Sequence, residues 1–333
     1  MLKITRRLAL AGLAALALTA PAYAADTVKV GILRFTSHSP SMIAKAKGYF
    51  EKQNIEAELV PFQAAQPMAV AIASGDIDFG VTAITGGLIS LADKGAVKII
   101  GGALEEQEGI EGQKILAHAG SGIEKPADLK GKRYGVTTQG SSFHYMAHKI
   151  ADKEGFARSD IRITPLQKVP AVIAALKTGQ VDAWSIVPNI AGALTRGDTV
   201  KEIGAVADYV PNYQVTTVFT SSANASDKAD LVKRFLAALS QGIDDYNAAL
   251  VDGSMSEEDT TAIVRMVHEY VYADNPFEKA DKRIRAGAMR ISPGAALNAA
   301  SVKDQLEWFK SENLAPQSAT YEKLVDESFV ETK

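Results

Sequence analysis

The pattern of apolar and polar positions predicts strands that alternate with helices. Residues 28–33 and 55–61 alternate between apolar and polar side chains or are β-branched, as half-buried strands are. Residues 39–53, between them, carry apolar side chains at helical spacing. The same analysis predicts a helix over 67–74, a strand over 77–81, a helix over 86–94 and a strand over 97–101. Such alternation is typical of βαβ units, so the predicted fold class is α/β with mostly parallel sheets.

The order of these elements repeats once along the chain. Val30-Gly31-Ile32 is matched by Tyr134-Gly135-Val136, and Gly75-Asp76-Ile77-Asp78 is matched by Gly179-Gln180-Val181-Asp182. Both matches have the same offset of 104 residues (135 − 31 and 179 − 75). The elements predicted between these anchors also follow in the same order. A repeat of this length indicates two related lobes, not a solenoid.

The composition of the chain around the repeat suggests where the lobes begin and end. We predict that residues 25–112 and 220–333 form the first lobe and that residues 113–219 form the second. Extended segments over 112–118 and 213–221 would connect them. The mainly helical remainder of the chain is expected to pack back on the first lobe. Two connections make a hinge, and the cleft beside a hinge is a common place for a ligand.

The N-terminal segment has the pattern of a secretory signal peptide. Lys3, Arg6 and Arg7 are followed by an apolar run of 13 residues, 8–20, and then by Pro21-Ala22-Tyr23-Ala24. The run is too short to span a membrane, which takes about 20 apolar residues. We therefore predict that residues 1–24 are removed and that the mature protein is periplasmic. The adjacent arginines leave open whether export is general or twin-arginine dependent.

Charge and cysteine content narrow the classes of partner and chemistry. The formal charge of the whole chain is −3, and it becomes −6 when the three cations of the signal peptide are removed. A nucleic-acid partner would call for a basic face, so we predict none. The chain has no cysteine, which excludes disulfides, thiolate metal sites and cysteine nucleophiles.

Candidate ligand-binding residues follow the predicted strands, because open α/β sheets bind ligands beyond the carboxyl ends of their strands. In the first lobe they are Arg34, Phe35, Thr36, Ser37 and His38, then Gln63 and Ala64, then Thr82, Ala83 and Thr85. In the second lobe they are Thr138, Gln139, Gly140, Ser141, Ser142, Phe143 and His144, then Pro188 and Asn189.

The loop over 137–142 is the most informative of these stretches, since it joins a predicted strand to a predicted helix. Backbone N–H groups at a helix start bind oxyanions, and Ser141 or Ser142 would add a hydroxyl donor. The alternative is that a serine only caps the helix. Arg34 would clamp a carboxylate or sulfonate, or else is an exposed arginine at a strand end.

No metal, cofactor or catalytic set is predicted. His144 and His148 have the spacing of a helical zinc site, but Tyr145 stands where H-E-x-x-H has its glutamate, and a third ligand is not evident. Neither a nucleotide-triphosphate loop nor G-x-G-x-x-G after a strand is present. The serines and histidines do not form a recognisable Ser/His/Asp set.

Four segments resemble one protein family. Residues 44–50, 73–80, 126–131 and 178–183 resemble the corresponding segments of periplasmic substrate-binding proteins for nitrate, taurine and aliphatic sulfonates. That family includes proteins related to the thiamine-pyrimidine (THI5/NMT1-like) group. The resemblance covers the whole mature chain and is closest over 28–188.

The resemblance implies a type II periplasmic binding protein, in which two α/β lobes are joined by a two-segment hinge. Such a protein would work as a monomer without a cofactor, capture a small-molecule ligand by lobe closure and deliver it to a membrane-embedded ABC permease. Carried over by position, the ligand contacts fall in the strand-end stretches named above. The family often has Trp-x-Pro where Ile186-Val187-Pro188 stands here, so an aromatic wall is absent at that place.

Three hypotheses for the function follow. The first is a binding protein, not an enzyme, for a small organic anion, a sulfonate or carboxylate, with or without an aromatic body. The second is a binder of a pyrimidine or other heterocycle, stacked by Phe35, Phe143 or Trp184. The third is a thiamine-pyrimidine-forming enzyme, which the export signal and the absence of that group's cysteine-rich motif count against.

Overall fold

The structure is a computed structural model that describes residues 24–107, 110 and 112–333. The signal peptide predicted over 1–24 thus lies outside the described residues, except for Ala24. The strands are β1 (Asp26–Leu33), β2 (Ile55–Phe62), β3 (Phe79–Ala83), β4 (Val97–Gly102), β5 (Lys114–His118), β6 (Arg133–Val136), β7 (Arg162–Pro165), β8 (Ala183–Ile186), β9 (Val200–Ala205) and β10 (Thr216–Ser221).

Helices lie between most of the strands and make up most of the C-terminal third. They are α1 (Ser39–Ala46), α2 (Tyr49–Lys52), α3 (Ala65–Ser74), α4 (Gly86–Asp93), α5 (Ser142–Glu154), α6 (Val169–Lys177), α7 (Pro188–Leu194), α8 (Ser222–Asp227), α9 (Ala229–Tyr246), α10 (Glu257–His268), α11 (Phe277–Arg285), α12 (Ala299–Ser311) and α13 (Tyr321–Leu324). Among the described residues, none of these helices is long and apolar enough to cross a membrane.

The strands form two sheets of the same topology, one in each α/β lobe. The first has the order β2-β1-β3-β10-β4, and the second has the order β7-β6-β8-β5-β9. In each sheet the strand contributed by a connection between the lobes runs antiparallel to its neighbours. Residues 216–219, which the sequence analysis assigns to the second lobe, pair with β3 and β4 in the first sheet, so that boundary is corrected to lie before Thr216.

The two lobes repeat individual contacts as well as topology. The backbone N–H of Lys29 donates to the Asp78 carboxylate at 2.9 Å, and that of Arg133 donates to the Asp182 carboxylate at 2.7 Å. Each pair therefore ties the first parallel strand of its lobe to the Asp of the Gly-x-x-Asp anchor. Residues at the sequence offset of 104 are structurally equivalent.

Two local predictions differ from the structure, and both differences have a backbone cause. The helix predicted over 39–53 is interrupted by Gly48, whose φ of 68° is left-handed and ends α1. The strand predicted over 77–81 begins at Phe79, because the N–H groups of Asp76 and Ile77 still bond to the Ala71 carbonyl and close the end of α3.

The C-terminal helices pack on both lobes, not only on the first as predicted. Phe235 of α9 stacks on Phe79 in the first sheet, with 3.8 Å between ring centroids. Trp308 of α12, in contrast, packs edge-on against His144 and Tyr145 of α5 in the second lobe, each with its ring centroid 5.3 Å away. Helix α12 therefore bridges the cleft on one side.

Candidate functional site

A cavity lies between the lobes at the carboxyl ends of the parallel strands. We call it the inner cavity. It is lined by Leu33, Phe35, Ser37, His38, Ala64, Ala65, Thr82, Ala83, Leu104, Gln113, Thr137, Ser141, Ser142, Phe143, Val169, Ile186, Val187, Val215 and Thr216. The space for the centres of water-sized molecules is about 40 Å³. That holds about three waters, or the head group of a small ligand.

The inner cavity has a twofold pattern that comes from the repeat. Its lining pairs Leu33 with Thr137, Ser37 with Ser141, His38 with Ser142, Ala65 with Val169, Thr82 with Ile186 and Ala83 with Val187, all at the offset of 104 residues. The remaining residues come mainly from the two connections between the lobes. Each lobe thus presents the same strand ends to the same space.

Three hydroxyls in the lining are buried and lack a hydrogen-bond partner among the described residues. They belong to Ser37, Thr82 and Ser141, whose side chains are 3%, 1% and 2% exposed. Buried polar groups are hydrogen-bonded in the great majority of cases, and an unpaired one costs about 1–3 kcal/mol. These three hydroxyls are therefore free to bond to a molecule that enters the inner cavity.

Helix starts place backbone donors beside these hydroxyls. Ser141 is the N-cap residue of α5, but its side chain makes no capping hydrogen bond, so the capping-only interpretation is wrong for this serine. Ser37 lies in a one-turn 3-10 helix, Thr36–His38, that leads directly into α1. The first N–H groups of a helix have no acceptor within the helix and carry partial positive charge. An oxyanion in the inner cavity would meet such donors from both lobes.

His38 adds a neutral donor to the same wall. Burial lowers the pKa of His38 to about 3, so the ring is uncharged at neutral pH. Its Nδ1 accepts a hydrogen bond from the Leu33 backbone N–H at 3.3 Å. The proton therefore sits on Nε2, which makes that atom a donor.

His144 hydrogen-bonds to the 137–142 loop of the second lobe and does not line the inner cavity. Its Nδ1 accepts from the Gly140 N–H at 3.1 Å, and its Nε2 lies 3.0 Å from Nε2 of His148. Burial lowers the pKa of His144 to about 3, with a smaller effect from His148. The part of the chain that is described contains no group of three or more His, Cys, Asp or Glu residues able to hold a metal.

The predicted site residues divide into two groups. Those that line the inner cavity are Phe35, Ser37, His38, Ala64, Thr82, Ala83, Ser141, Ser142 and Phe143. Those outside that lining are Arg34, Thr36, Gln63, Thr85, Thr138, Gln139, Gly140, His144, Pro188 and Asn189. Binding roles for both groups remain predictions.

Several residues of the second group have other structural tasks. The Thr85 hydroxyl caps α4 by accepting from the Leu88 N–H at 3.0 Å. Asn189 hydrogen-bonds with Tyr272, and neither residue lines the inner cavity. Trp184 is fully buried, and its ring meets Phe143 edge-on at 5.4 Å, so it supports the cavity wall from behind.

A second space opens beside the inner cavity at the rim of the cleft. We call it the outer chamber; it is lined by Leu33, Arg34, Phe35, Pro61, Phe62, Gln63, Val169 and Pro170. Its space for the centres of water-sized molecules is about 420 Å³. Arg34 and Gln63, two of the predicted site residues, therefore lie in this chamber.

Sequence reasoning missed the lining residues that no strand-end stretch of the prediction contained. They are Leu33, Leu104, Gln113, Val169, Val215 and Thr216. Four further lining residues, Ala65, Thr137, Ile186 and Val187, lie inside the predicted strand-end stretches but are not among the chosen candidates. The repeat carried a usable signal for some of the missed residues. Applying the 104-residue offset to Ala65 gives Val169, and applying it backwards to Thr137 gives Leu33. The hinge residues, such as Gln113 and Thr216, have no such signal.

The lobes are closed over the inner cavity. The Gly86 N–H donates to the Gly140 carbonyl at 2.9 Å, which joins the start of α4 to the loop before α5. Asp304 of α12 binds Lys149 of α5 at 2.8 Å and accepts a hydrogen bond from the Tyr145 hydroxyl. These contacts exist only when the second lobe lies against the first lobe and α12.

Comparison with known proteins finds likenesses both in sequence and in fold. A family profile described as NMT1/THI5 like matches residues 35–249. A Bacillus subtilis (strain 168) protein named for binding aliphatic sulfonates is 33% identical over 163 residues, which are 48% of this chain and 47% of that protein. The chain therefore aligns with about half the length of this relative.

Two further likenesses bear on fold and function. The alkanesulfonate-binding protein of Xanthomonas axonopodis pv. citri, solved bound to MOPS, superposes with a TM-score of 0.71 at 20% identity, over 94% of this chain and 100% of that one. This shows the fold of the periplasmic binding proteins. The 4-amino-5-hydroxymethyl-2-methylpyrimidine phosphate synthase of Schizosaccharomyces pombe is 27% identical over 145 residues, 44% of this chain and 40% of that protein.

Proposed function

Because the chain belongs to the NMT1/THI5-like family, we propose that it is the periplasmic solute-binding component of an ABC importer. It holds a small organic anion, a sulfonate or carboxylate, in the inner cavity. The observation that carries this proposal is the pair of unpartnered serines, Ser37 and Ser141, which stand at equivalent strand ends of the two lobes. One anionic head group fits between them and satisfies both.

The chemistry of the lining favours a sulfonate over a carboxylate. Among the described residues that line the inner cavity there is no lysine or arginine, and His38 is neutral. The negative charge would be balanced by hydroxyls and helix-start N–H groups alone. A sulfonate spreads one charge over three oxygens, so several neutral donors can share it. The apolar remainder of the lining suits the hydrocarbon part of such a ligand.

Ligand capture works through a population shift. A ligand that contacts Ser37 in one lobe and Ser141 in the other binds the closed form better than an open one, so it favours closure. The permease then recognises the closed form. The predicted signal peptide puts this binding step in the periplasm, and we propose that the protein acts there as a monomer.

A catalytic role has less support. The S. pombe synthase likeness covers under half of either chain, and the described residues show no nucleophile paired with a base in the inner cavity. A heterocyclic ligand is the second candidate, because Phe35 and Phe143 both line the inner cavity and present aromatic faces or edges. In that case the aromatic contacts, not the paired serines, would dominate affinity.

Thermal-shift screening followed by calorimetry tests the proposal. The purified mature chain would be screened against alkanesulfonates, arylsulfonates, the matching carboxylates and a set of pyrimidines. We expect sulfonates to raise the melting temperature and to give saturable one-to-one binding. Stabilisation by pyrimidines alone would contradict the proposal in favour of the second candidate.

A further inference from the structure

We propose that the outer chamber is a second subsite, in which Arg34 recognises an additional acidic group at the far end of the ligand. The preferred ligand is then an elongated dianion, with a sulfonate head in the inner cavity, an apolar body and a carboxylate tip. This inference rests on the proposed function, because the head group must occupy the inner cavity for the tip to reach Arg34.

The two spaces are adjacent and share part of their lining. Leu33, Phe35 and Val169 line both the inner cavity and the outer chamber. Gln63 of the first lobe and Val169 of the second also meet at this rim, where the Val169 N–H donates to the Gln63 carbonyl at 3.2 Å. In this proposal the ligand body passes between these shared residues, from the inner cavity into the outer chamber, with residues of both lobes beside it.

The inner cavity is the smaller space and suits the head group of the ligand, whereas the larger outer chamber suits its body. The inner cavity has room for about three waters, whereas the outer chamber offers about 420 Å³ to the centres of water-sized molecules. Phe35 and Phe62 are half-buried and line the outer chamber, so they provide apolar surface for an aromatic or alkyl body. Phe35 is held edge-on against the His38 ring, with 5.8 Å between centroids.

The charge in the outer chamber comes from Arg34. It is the one cationic side chain among the described residues that line either space. Arg34 is exposed, and no hydrogen bond or ion pair joins its guanidinium to another residue in the described ranges. Most arginines elsewhere in the fold, such as Arg133, Arg158 and Arg234, are engaged by carboxylates. An unengaged guanidinium at the mouth of a neutral anion site is well placed to pair with a second carboxylate in a two-pronged manner.

A matched pair of probes isolates this contact. 4-Sulfobenzoate and 4-sulfobenzamide share the sulfonate, the ring and the shape, and differ only in the charge at the tip. Both would be titrated by calorimetry into the mature chain, with 3-sulfobenzoate and 3-sulfobenzamide as a second pair that alters the angle of the tip. The readout is the ratio of dissociation constants, amide over acid, within each pair.

In the unaltered protein we expect this ratio to be about fivefold in at least one pair, the size appropriate to a partly exposed ion pair. In Arg34→Gln the same ratio should fall to about one. Lys29→Gln is the matched control, because it removes the same charge from an exposed position in the N-terminal half of β1, outside the lining of both spaces, and should keep the ratio. The ratio should also shrink at high salt, as a screened contact does.

The failures of the two proposals can be told apart. If the sulfobenzamides bind but the ratios of the unaltered protein are near one, the outer chamber proposal is overturned and the anion site stands. The proposal is also overturned if the ratio persists in Arg34→Gln, or if it falls equally in Lys29→Gln. The preference for the acid would then come from the overall electrostatic potential of the protein and not from a contact with Arg34. If the sulfobenzoates and sulfobenzamides fail to bind while other anions of the screen bind, the outer chamber proposal is overturned. If none of the sulfonates and carboxylates of the screen binds, the proposed function itself is contradicted.

Discussion

Ser37 and Ser141 are equivalent residues of the two lobes, and their hydroxyls lie in the wall of one cavity without a hydrogen-bond partner in the described chain. Neither hydroxyl makes a capping hydrogen bond to the helix that follows it. The duplicated lobes have thus each contributed a copy of the same donor to the lining of one space. This arrangement suits a ligand whose oxygens accept hydrogen bonds from both lobes when the lobes are closed.

Replacing either serine by alanine should weaken ligand binding without lowering the stability of the protein. Removing an unpaired buried hydroxyl takes away no contact of the ligand-free protein, so its free energy of unfolding should stay unchanged or rise. Affinity for a sulfonate should fall about tenfold or more for each of Ser37→Ala and Ser141→Ala, because each loses a hydrogen bond to a charged group. Urea unfolding and calorimetry measure the two quantities.

Ser226→Ala is the control for these variants, since Ser226 is exposed on α8 and remote from the inner cavity. It should leave affinity as it is. A structural role for Ser37 or Ser141 would instead appear as a lower free energy of unfolding with an unaltered dissociation constant.

Helix α12 should control how long the ligand stays bound. Asp304→Asn weakens the contacts that α12 makes with Lys149 and Tyr145, so the closed form loses stability relative to an open one. Ligand dissociation, followed by stopped-flow fluorescence, should become about threefold faster although Asp304 lies outside the cavity lining. Glu307→Gln is the control on the same helix, because Glu307 pairs with Lys310 within α12. An equal effect of both variants would argue against a role for the α12 contact with the second lobe.

The repeated close packing of the two lobes can be tested at equivalent glycines. A Cβ added at Gly31 would lie 2.7 Å from the Ile77 side chain, and one at Gly135 would lie 2.9 Å from that of Val172. Gly31→Ala and Gly135→Ala should each lower the free energy of unfolding by about 1–3 kcal/mol through overpacking. Gly192→Ala, in α7 with open space around its Cβ position, should be neutral or stabilising. Equal effects at all three positions, measured by urea unfolding, would refute this packing argument.

Stability should depend on pH through His38. Its folded pKa of about 3 lies below the unfolded value of about 6.5, so between these values the unfolded chain binds a proton that the folded chain does not. This histidine's contribution is complete above about pH 6.5, and about 1.4 kcal/mol is lost for each pH unit below it.

His38→Asn tests that contribution, because an asparagine oxygen can accept from the Leu33 N–H without titrating. Urea unfolding measures the free energy of unfolding between about pH 7 and about pH 5. Its slope against pH should be smaller in the variant, by the equivalent of about one bound proton. An unchanged slope would mean that His38 does not remain neutral in the folded protein.

Much of the fold followed from local sequence patterns. The βα alternation and the repeat predict two α/β lobes, which the structure has. The sequence pattern also predicts a helix over 142–154, and α5 has these bounds. The second boundary of the lobes was misplaced because β10 continues the apolar run of the connection straight into the first sheet. No periodicity distinguishes the last residue of a connection from the first residue of a strand.

The site was predictable only where a strand end faces the other lobe. Ser141 and His38 follow this rule, and the repeat extends it to Val187. Arg34 and Asn189 follow strands too, but they lie outside the inner cavity lining: Arg34 lines the outer chamber, and Asn189 of α7 hydrogen-bonds with Tyr272. Successive residues after a strand end point in different directions. The bridge formed by α12 depends on a contact between residues about 160 apart, Tyr145 and Asp304, and no local pattern encodes that contact.

The central claim is that an anion closes the two lobes on each other, and a distance measurement across the cleft tests it most directly. The chain has no cysteine, so Val70→Cys and Ala174→Cys can carry two spin labels at exposed, equivalent sites on α3 and α6. Both helices begin at the inner cavity. Pulsed electron paramagnetic resonance should show a broad, longer distance distribution without ligand and a narrower, shorter one with a saturating sulfonate. A distribution that stays the same while calorimetry reports binding would contradict the account.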